Sequence, residues 1–264
     1  MQRFKSEEQR IGQRLRLLSY NIQVAIAAHR PHHYLTHGWK HLLPHAQLFE
    51  NLDRIAELVK GYDVVGLQEV DPGSLRTGFV NQIEYLAARS GYPHWYHQTN
   101  RRFGHLAKHS NGVLSRYAPH KLEEHKLPGP IPGRGGLFLH YGDPREPLVV
   151  VLLHLALGKR ARLQQLEYVA ERIQDYRYVV VMGDMNCQPG SRELATLIHR
   201  TTLQEPLDDD RHTFPSWRPK RRLDHILVSE GFEVEEIQVL QVPYSDHLPV
   251  AMDLRLPEPL RLAA

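Results

Sequence analysis

The segment VVVMGDMNCQPGS, Val179 to Ser191, runs three valines and a methionine into a glycine and then sets Asp184 and Asn186 one residue apart. An extended backbone would present both side chains on one side. A carboxylate can bind a hard cation or deprotonate a water, and an amide NH2 can donate to a phosphate oxygen. Alone, the pair reads equally as the cap of a turn before Gln188, Pro189 and Gly190. Polar residues break other apolar runs in the same way. Asn21 lies near the end of LLSYNIQ, Glu69 near the end of VVGLQEV, and His154 interrupts VVVLLHLAL. Asp224 and His225 open DHILVS, and Asp246 and His247 stand before LPVAMDL. Burying one such group without a partner costs about 1–3 kcal/mol or more, so their recurrence predicts convergence on one site.

Regular elements must deliver these groups. Short apolar runs read as strands: Leu15 to Gln23, Asp63 to Val70, Asn111 to Arg116, Leu148 to Leu157, Tyr178 to Asn186, Leu223 to Ser229 and Leu248 to Leu256. Several are apolar on both faces and so belong inside a layered fold. Helical period and end signals predict helices over Phe49 to Gly61, Asn81 to Gly91 and Ala161 to Tyr176, with a shorter one from Ser191 to His199. Pro and Gly gather in LPGPIPGRGG, Leu127 to Gly136, as a hairpin-like loop, because strand-like sequence resumes at once. No internal repeat and no low-complexity tract is visible. The alternation predicts an α/β protein with helices outside a central sheet or pair of sheets.

With 264 residues, 41% of them hydrophobic, the chain can bury a sizeable core within one domain. A single domain over 1–264 is expected, with 1–14 as a polar N-terminal extension. The 33 basic and 30 acidic residues leave a formal charge of +3, too balanced to demand an anionic partner. Cys187 stands alone and cannot form an internal disulfide, and MQRFKSEEQRIGQR lacks the apolar stretch of a secretory signal, which predicts a cytoplasmic protein. No apolar run approaches the roughly 20 residues that span a bilayer, so any membrane contact is expected to be peripheral.

Taken in order, SYN, LQEV, HL, GDMN, LDHILVS and SDHLPV resemble the motif series of the endonuclease/exonuclease/phosphatase superfamily of metal-dependent phosphoesterases, from about Leu15 to Leu256. The resemblance implies a four-layered α/β sandwich, two mixed β-sheets packed face to face with helices outside. It also implies Glu69 as the main divalent-metal ligand, with Asn21 beside it and Asp246 on the metal side. Oxygen donors of this kind suit Mg2+ or Mn2+ better than zinc. In the same reading Asp184 activates the attacking water and Asn186 holds a phosphate oxygen. His247 faces the scissile phosphate, with Asp224 fixing its orientation and raising its proton affinity. Whether His247 donates as an imidazolium or acts as a base stays open. His154 matches a second active-site histidine of the deoxyribonuclease-like and sphingomyelinase-like branches. Asn111 falls where pancreatic-type deoxyribonucleases place a glutamate against that histidine, and an amide cannot charge-assist it. His225 stands where many relatives have Tyr or Arg and is expected to pack beside the site.

Two basic segments follow the candidate residues. TFPSWRPKRRLDH, Thr213 to His225, sets Arg218, Lys220, Arg221 and Arg222 with Phe214 and Trp217 just before Asp224. Cations beside stackable rings suit a nucleic-acid strand, through backbone neutralisation and base stacking, and also suit an anionic or zwitterionic lipid surface. Lys159, Arg160 and Arg162 follow His154. The histidines His29, His32, His33, His37, His41 and His45 crowd one segment without Cys or ligand spacing, so a substrate-facing or solvated loop is expected there rather than a zinc site. The expected activity is Mg2+- or Mn2+-dependent phosphodiester hydrolysis, with nucleic acid as the first substrate class. A phospholipid phosphodiesterase of sphingomyelinase-like or lipid-remodelling type, or an inositol-phosphate phosphatase, is the alternative within the resemblance. A catalytically silent binding module on the same fold is the alternative of another class.

Overall fold

The computed structural model describes residues 12–25, 46–103, 106–130, 133–207 and 211–263. The histidine-rich segment from His29 to His45 and most of the N-terminal extension lie outside the described residues. Two mixed six-stranded sheets form the centre. The first contains β1 (Arg14–Asn21), β2 (Val64–Val70), β3 (His94–Phe103), β4 (Ala107–Ser115), β11 (Glu233–Val239) and β12 (Val250–Arg255). The second contains β5 (Lys121–Lys126), β6 (Gly135–Tyr141), β7 (Leu148–His154), β8 (Tyr178–Asp184), β9 (Leu203–Gln204) and β10 (Asp224–Ser229). Helices α1 (Ala46–Val59) and α2 (Gln82–Ser90) cover the first sheet, and α3 (Lys159–Ile173) and α4 (Arg192–Arg200) the second. The result is a four-layered α/β sandwich. No helix among the described residues is long and apolar enough to cross a membrane.

Burial explains the layering. Strands β7 and β8 are buried along their whole length, as near-continuous apolar runs must be when both faces are covered. Leu15, Leu17, Val64, Val150, Leu152, Val180 and Met182 meet between the sheets, while Val149, Val151, Val179 and Val181 face α3 and α4. Each fully buried residue of this kind contributes roughly 1.5–3 kcal/mol. Local signals set the helix ends: Asn81 caps α2 by accepting from Ile83 N, Gly91 closes it in the left-handed region, and Ser191 caps α4 by accepting from Leu194 N.

The two sheets follow one plan. Their orders, β11-β12-β1-β2-β4-β3 and β5-β6-β7-β8-β10-β9, match position for position. Each has one parallel pair, β1 with β2 and β7 with β8, flanked by antiparallel neighbours. The repeat is topological and has no counterpart in the sequence. Between the sheets, Gly66 of β2 faces Leu152 and Met182, and a Cβ there would lie 2.6 Å from Leu152 Cδ1 and 2.9 Å from Met182 Cε. A Cβ at position 66 would have to displace the ends of these two side chains, which glycine avoids.

Candidate active site

The two parallel pairs end at the same place. In the second sheet His154 lies opposite Asp184, and Asp184 lies opposite Asp224, so three adjacent strands set three polar groups in one row. From the first sheet, β1 ends at Asn21 and β2 brings Glu69. The register of β2 on β4 steps from Leu67–Gly112 to Val70–Ser110, so β2 carries one extra residue. This bulge, with Glu69 at φ 57°, turns the glutamate out of the regular alternation.

Asp184 is the centre of the cluster. Asn21 Nδ2 donates to Asp184 Oδ2 at 3.1 Å and to Glu69 Oε1 at 3.4 Å, which ties the sheets together. His154 Nε2 lies 3.5 Å from Asp184 Oδ2 and 3.8 Å from Glu69 Oε1. On the other side His247 Nε2 is 3.8 Å from Asp184 Oδ2, while its Nδ1 is held 2.8 Å from Asp224 Oδ2. Asp224 is in turn fixed by Thr213, whose Oγ1 accepts from Asp224 N and Leu223 N.

Electrostatics divides the two histidines. Burial opposes a charge on His247, but Asp224 and Asp184 outweigh it and lift its pKa to about 10, so an imidazolium is held there at neutral pH. Burial lowers His154 well below the ordinary histidine value, and Arg134, His247 and His109 push in the same direction. His154 is therefore a neutral imidazole. Burial raises Asp184 to about 6 against the pull of His247, and burial with the nearby Asp246 raises Glu69.

Several residues sit otherwise than the sequence suggests. Strand β8 stops at Asp184, and Asn186 lies at φ 51°, so the two do not share a strand face. The backbone N–H of Asn186 instead donates to Asp184 Oδ1 at 2.9 Å, and its Nδ2 donates to Leu155 O at 3.0 Å. Asn21 Oδ1 accepts from Gln23 N at 3.1 Å, and its Nδ2 faces the Asp184 and Glu69 carboxylates. Arg222 is turned inward and paired with Glu205 at 3.1 Å, which removes it from the substrate-facing cations. His225 packs beside the site, between Glu205 and Cys187 O. Arg162 is also buried, joining α3 to Glu193 of α4.

The remaining basic loop stays at the surface. Arg218, Lys220 and Arg221 are exposed, and Trp217 is half-buried. Backbone bonds between Phe214 and Arg221 close the loop, and Ser216 N donates to Asp246 O, which docks it against the Asp246–His247 turn. Arg221 lies 4.9 Å over the Phe214 ring, and that ring is 4.8 Å from His247. A cation, a ring and a tilted imidazole thus lead in sequence from solvent to the buried row.

A cavity of about 390 Å³ opens beside Glu69 and His154. Asn111, His109 and Arg134 line it, together with Ala156 and Leu157. Asn111 donates from Nδ2 to Gly135 O rather than to His154. His109 and Arg134 escape sequence reading, although each left a signal. His109 is two residues from Asn111 and so shares its strand face, and Arg134 is the one cation in a Pro/Gly-rich loop.

The donor set admits a hard divalent ion. Glu69 and the nearby Asp246 carry carboxylate oxygens, the donor type that hard divalent ions take. Among the described residues, the grouping of His and carboxylate ligand atoms within 4.8 Å of one another is Asp184, Asp224 and His247. Within it His247 Nδ1 is held by Asp224, and Nε2 faces Asp184 at 3.8 Å.

Comparison with known proteins bears on the fold and the family. No curated protein matches the chain by sequence. A protein of the endonuclease/exonuclease/phosphatase type from Beutenbergia cavernae is 25% identical, with 92% of this chain and 72% of that one covered at a TM-score of 0.70. The mannosyl-6-phosphatase of Bacteroides thetaiotaomicron is 19% identical over 92% of this chain and 100% of that one, at a TM-score of 0.67. The human nocturnin catalytic domain with bound sulfate anion is 16% identical over 95% and 94%, also at 0.67. Members of the family are hydrolases that act on phosphoester bonds and usually use divalent metals. The family profile itself matches residues 18–247, and the chain belongs to the Endonuclease/Exonuclease/phosphatase family.

Proposed function

We propose that the chain is a divalent-metal-dependent phosphodiester hydrolase of nuclease type. The observation that carries this reading is the convergence of Asn21, His154 and His247 on Asp184. In this arrangement Asp184 orients and deprotonates the attacking water, and Asn21 fixes the carboxylate that does so. His247, charged and clamped by Asp224, donates to a non-bridging phosphate oxygen. His154, held neutral, donates as an imidazole instead of acting as a strong acid. Asn186, whose amide nitrogen carries two protons, has one to offer a phosphate oxygen besides the one given to Leu155 O. Glu69 and Asp246 would hold Mg2+ or Mn2+, which when bound supplies neutralisation of charge on the phosphate oxygens. The exposed cations Arg218, Lys220 and Arg221, with the Phe214 ring, favour a strand substrate.

A second reading, a lipid or inositol headgroup as substrate, is favoured by Leu157, which is 76% exposed where it lines the cavity. A turnover panel in Mg2+ and in Mn2+ separates the two: single-stranded DNA, duplex DNA, RNA, sphingomyelin vesicles and inositol phosphates, with Asp184→Ala as control. Cleavage of nucleic acid that the variant lacks is the expected result. Turnover of vesicles or inositol phosphates alone moves the assignment to the second reading. Activity that persists in excess chelator refutes both.

A further inference from the structure

We infer that His225 is a positioning residue for the reaction: its ring, braced by Glu205, holds the turn after β8 by the Cys187 carbonyl and so fixes where Asn186 and the Asp184 carboxylate point. The inference rests on the reading of Asp184 and Asn186 as the groups that meet water and phosphate, and adds what sets their direction.

The turn needs holding. Asn186 sits at φ 51°, in the left-handed region that asparagine visits more readily than most residues but holds only where its surroundings over-determine it. On the strand side those surroundings are three hydrogen bonds. Met185 N donates to Leu223 O at 2.8 Å, Asn186 N to Asp184 Oδ1 at 2.9 Å, and Leu155 N to Asp184 O at 3.0 Å. On the far side the next residue is Cys187, which is buried, and its carbonyl oxygen accepts from His225 Nε2 at 2.8 Å. A carbonyl only accepts, so Nε2 carries a proton.

The ring is braced at its other nitrogen. Nδ1 lies 2.7 Å from Glu205 Oε1, and Arg222 Nη2 holds the same oxygen at 3.1 Å. The His225 side chain is wholly buried, and a flipped ring would put carbons at both short contacts, so one orientation is fixed. Its partner across the ladder is Gly183, which has no side chain to compete for that face.

Alternation along β10 gives this contact its place in the site. Asp224 and His225 are neighbours on the strand and point to opposite faces. Ile226 packs between the sheets and Leu227 against the helices, so Asp224 shares the inner face and His225 the helix face. Asp224 thus holds His247 from one side of the sheet, while His225 holds the turn of Asn186 from the other. One strand end aims both side chains that the proposed reaction sets against the phosphate.

Two substitutions separate the two ring contacts. The amide nitrogen of Gln reaches where Nε2 stands, and that of Asn where Nδ1 stands. His225→Gln therefore keeps a donor for Cys187 O and drops the one for Glu205, and His225→Asn does the reverse. On the intact chain, turnover of bis-p-nitrophenyl phosphate in saturating Mg2+ is measured well below Tm, together with hydrogen exchange at the Asn186 amide. We expect His225→Asn to lower kcat roughly 10- to 100-fold, with KM within about threefold, as a misplacement on the order of an ångström implies. Exchange at Asn186 should quicken while Val180 to Met182 in β8 exchange as before. His225→Gln should keep kcat within about threefold of the unsubstituted chain even as Tm falls with the loss of the Glu205 pair. A merely structural role would make kcat track Tm in both variants. Equal kcat in the two variants, or slower turnover in His225→Gln than in His225→Asn, overturns the inference. Should either variant fail to fold, nitrogen NMR of the unsubstituted chain labelled in histidine decides: a protonated, slowly exchanging Nε2 at His225 supports the tether, and a bare Nε2 overturns it. A chain that turns over nothing, or whose Asp184→Ala variant is as fast, loses the hydrolase reading, and exchange at Asn186 then decides the tether alone.

Discussion

Replacing Asp224 with Asn tests how much of the site depends on one charged hydrogen bond. Asp224 is fully buried, and its Oδ2 lies 2.8 Å from His247 Nδ1. The substitution preserves shape but removes the charge that holds the imidazolium and orients it toward the phosphate. Hydrogen bonds to charged groups contribute about 1.5–3 kcal/mol. At 1.36 kcal/mol per factor of ten, losing that much only in the transition state lowers kcat roughly 10- to 150-fold. The loss should fall on kcat with KM little changed, because positioning of the donor is what is lost. Stability should change little: Asp224 Oδ1 has no partner, so burying a neutral amide in place of a carboxylate offsets part of the lost bond. The assay is steady-state hydrolysis of the preferred phosphoester in saturating Mg2+, with thermal unfolding in parallel. A kcat within threefold of the unsubstituted chain, at equal Tm, would refute the role given to the His247–Asp224 pair.

Three further outcomes are expected. Glu69→Gln should raise the Mg2+ concentration needed for half-maximal rate by about 100-fold or more, since even outer-shell partners of a metal cost 10- to 100-fold; a Mg2+ titration of the rate reads this directly. Substituting Arg218, Lys220 and Arg221 together by Ala should flatten the dependence of log affinity for single-stranded nucleic acid on log salt by roughly 2, at about 0.7 per lost phosphate contact. An unchanged slope would place the strand elsewhere. Glu205 is pulled below the usual carboxylate range by His225 and Arg222, against the effect of burial. A lowered folded pKa gives stability that is present above the ordinary value of about 4.3 and is lost as pH falls through the folded value. Glu205→Gln should therefore lower Tm at pH 7 by roughly 6–12 °C, from about 3 kcal/mol for a broken buried pair, and the gap should narrow in acid.

How far the sequence discloses this molecule depends on burial. Strands β1, β2, β7, β8, β10 and β12 are legible because covered faces demand apolar runs, and the polar residues that break those runs are the ones gathered around Asp184. Strands β5 and β11 are missed because they are edge strands, with burial too patchy for an alternation to show. Strand β3 carries charges and histidines in HWYHQTNRRF, which reads as polar loop until β4 pairs with it. Backbone conformation is the other gap. Nothing in GDMN says that Asn186 leaves the strand direction, and nothing in LQEV marks the bulge at Glu69. Long-range pairing is the third. Arg222 looks like its exposed neighbours in PKRR until Glu205, seventeen positions upstream, is seen to claim it.

The glycine between the sheets has a consequence for catalysis. Asn21 and Glu69 belong to one sheet and His154, Asp184 and Asp224 to the other, so the distance between the halves of the site is the thickness of the apolar layer beneath them. Near the site that layer is filled by Leu152 and Met182 against Gly66, and none of the three lines the cavity. A methyl group added there would first displace the ends of those two flexible side chains, and only what they could not absorb would reach the spacing between Asn21 and Asp184. Packing beneath the site therefore bears on how far apart its two halves stand, through residues that line no part of the cavity.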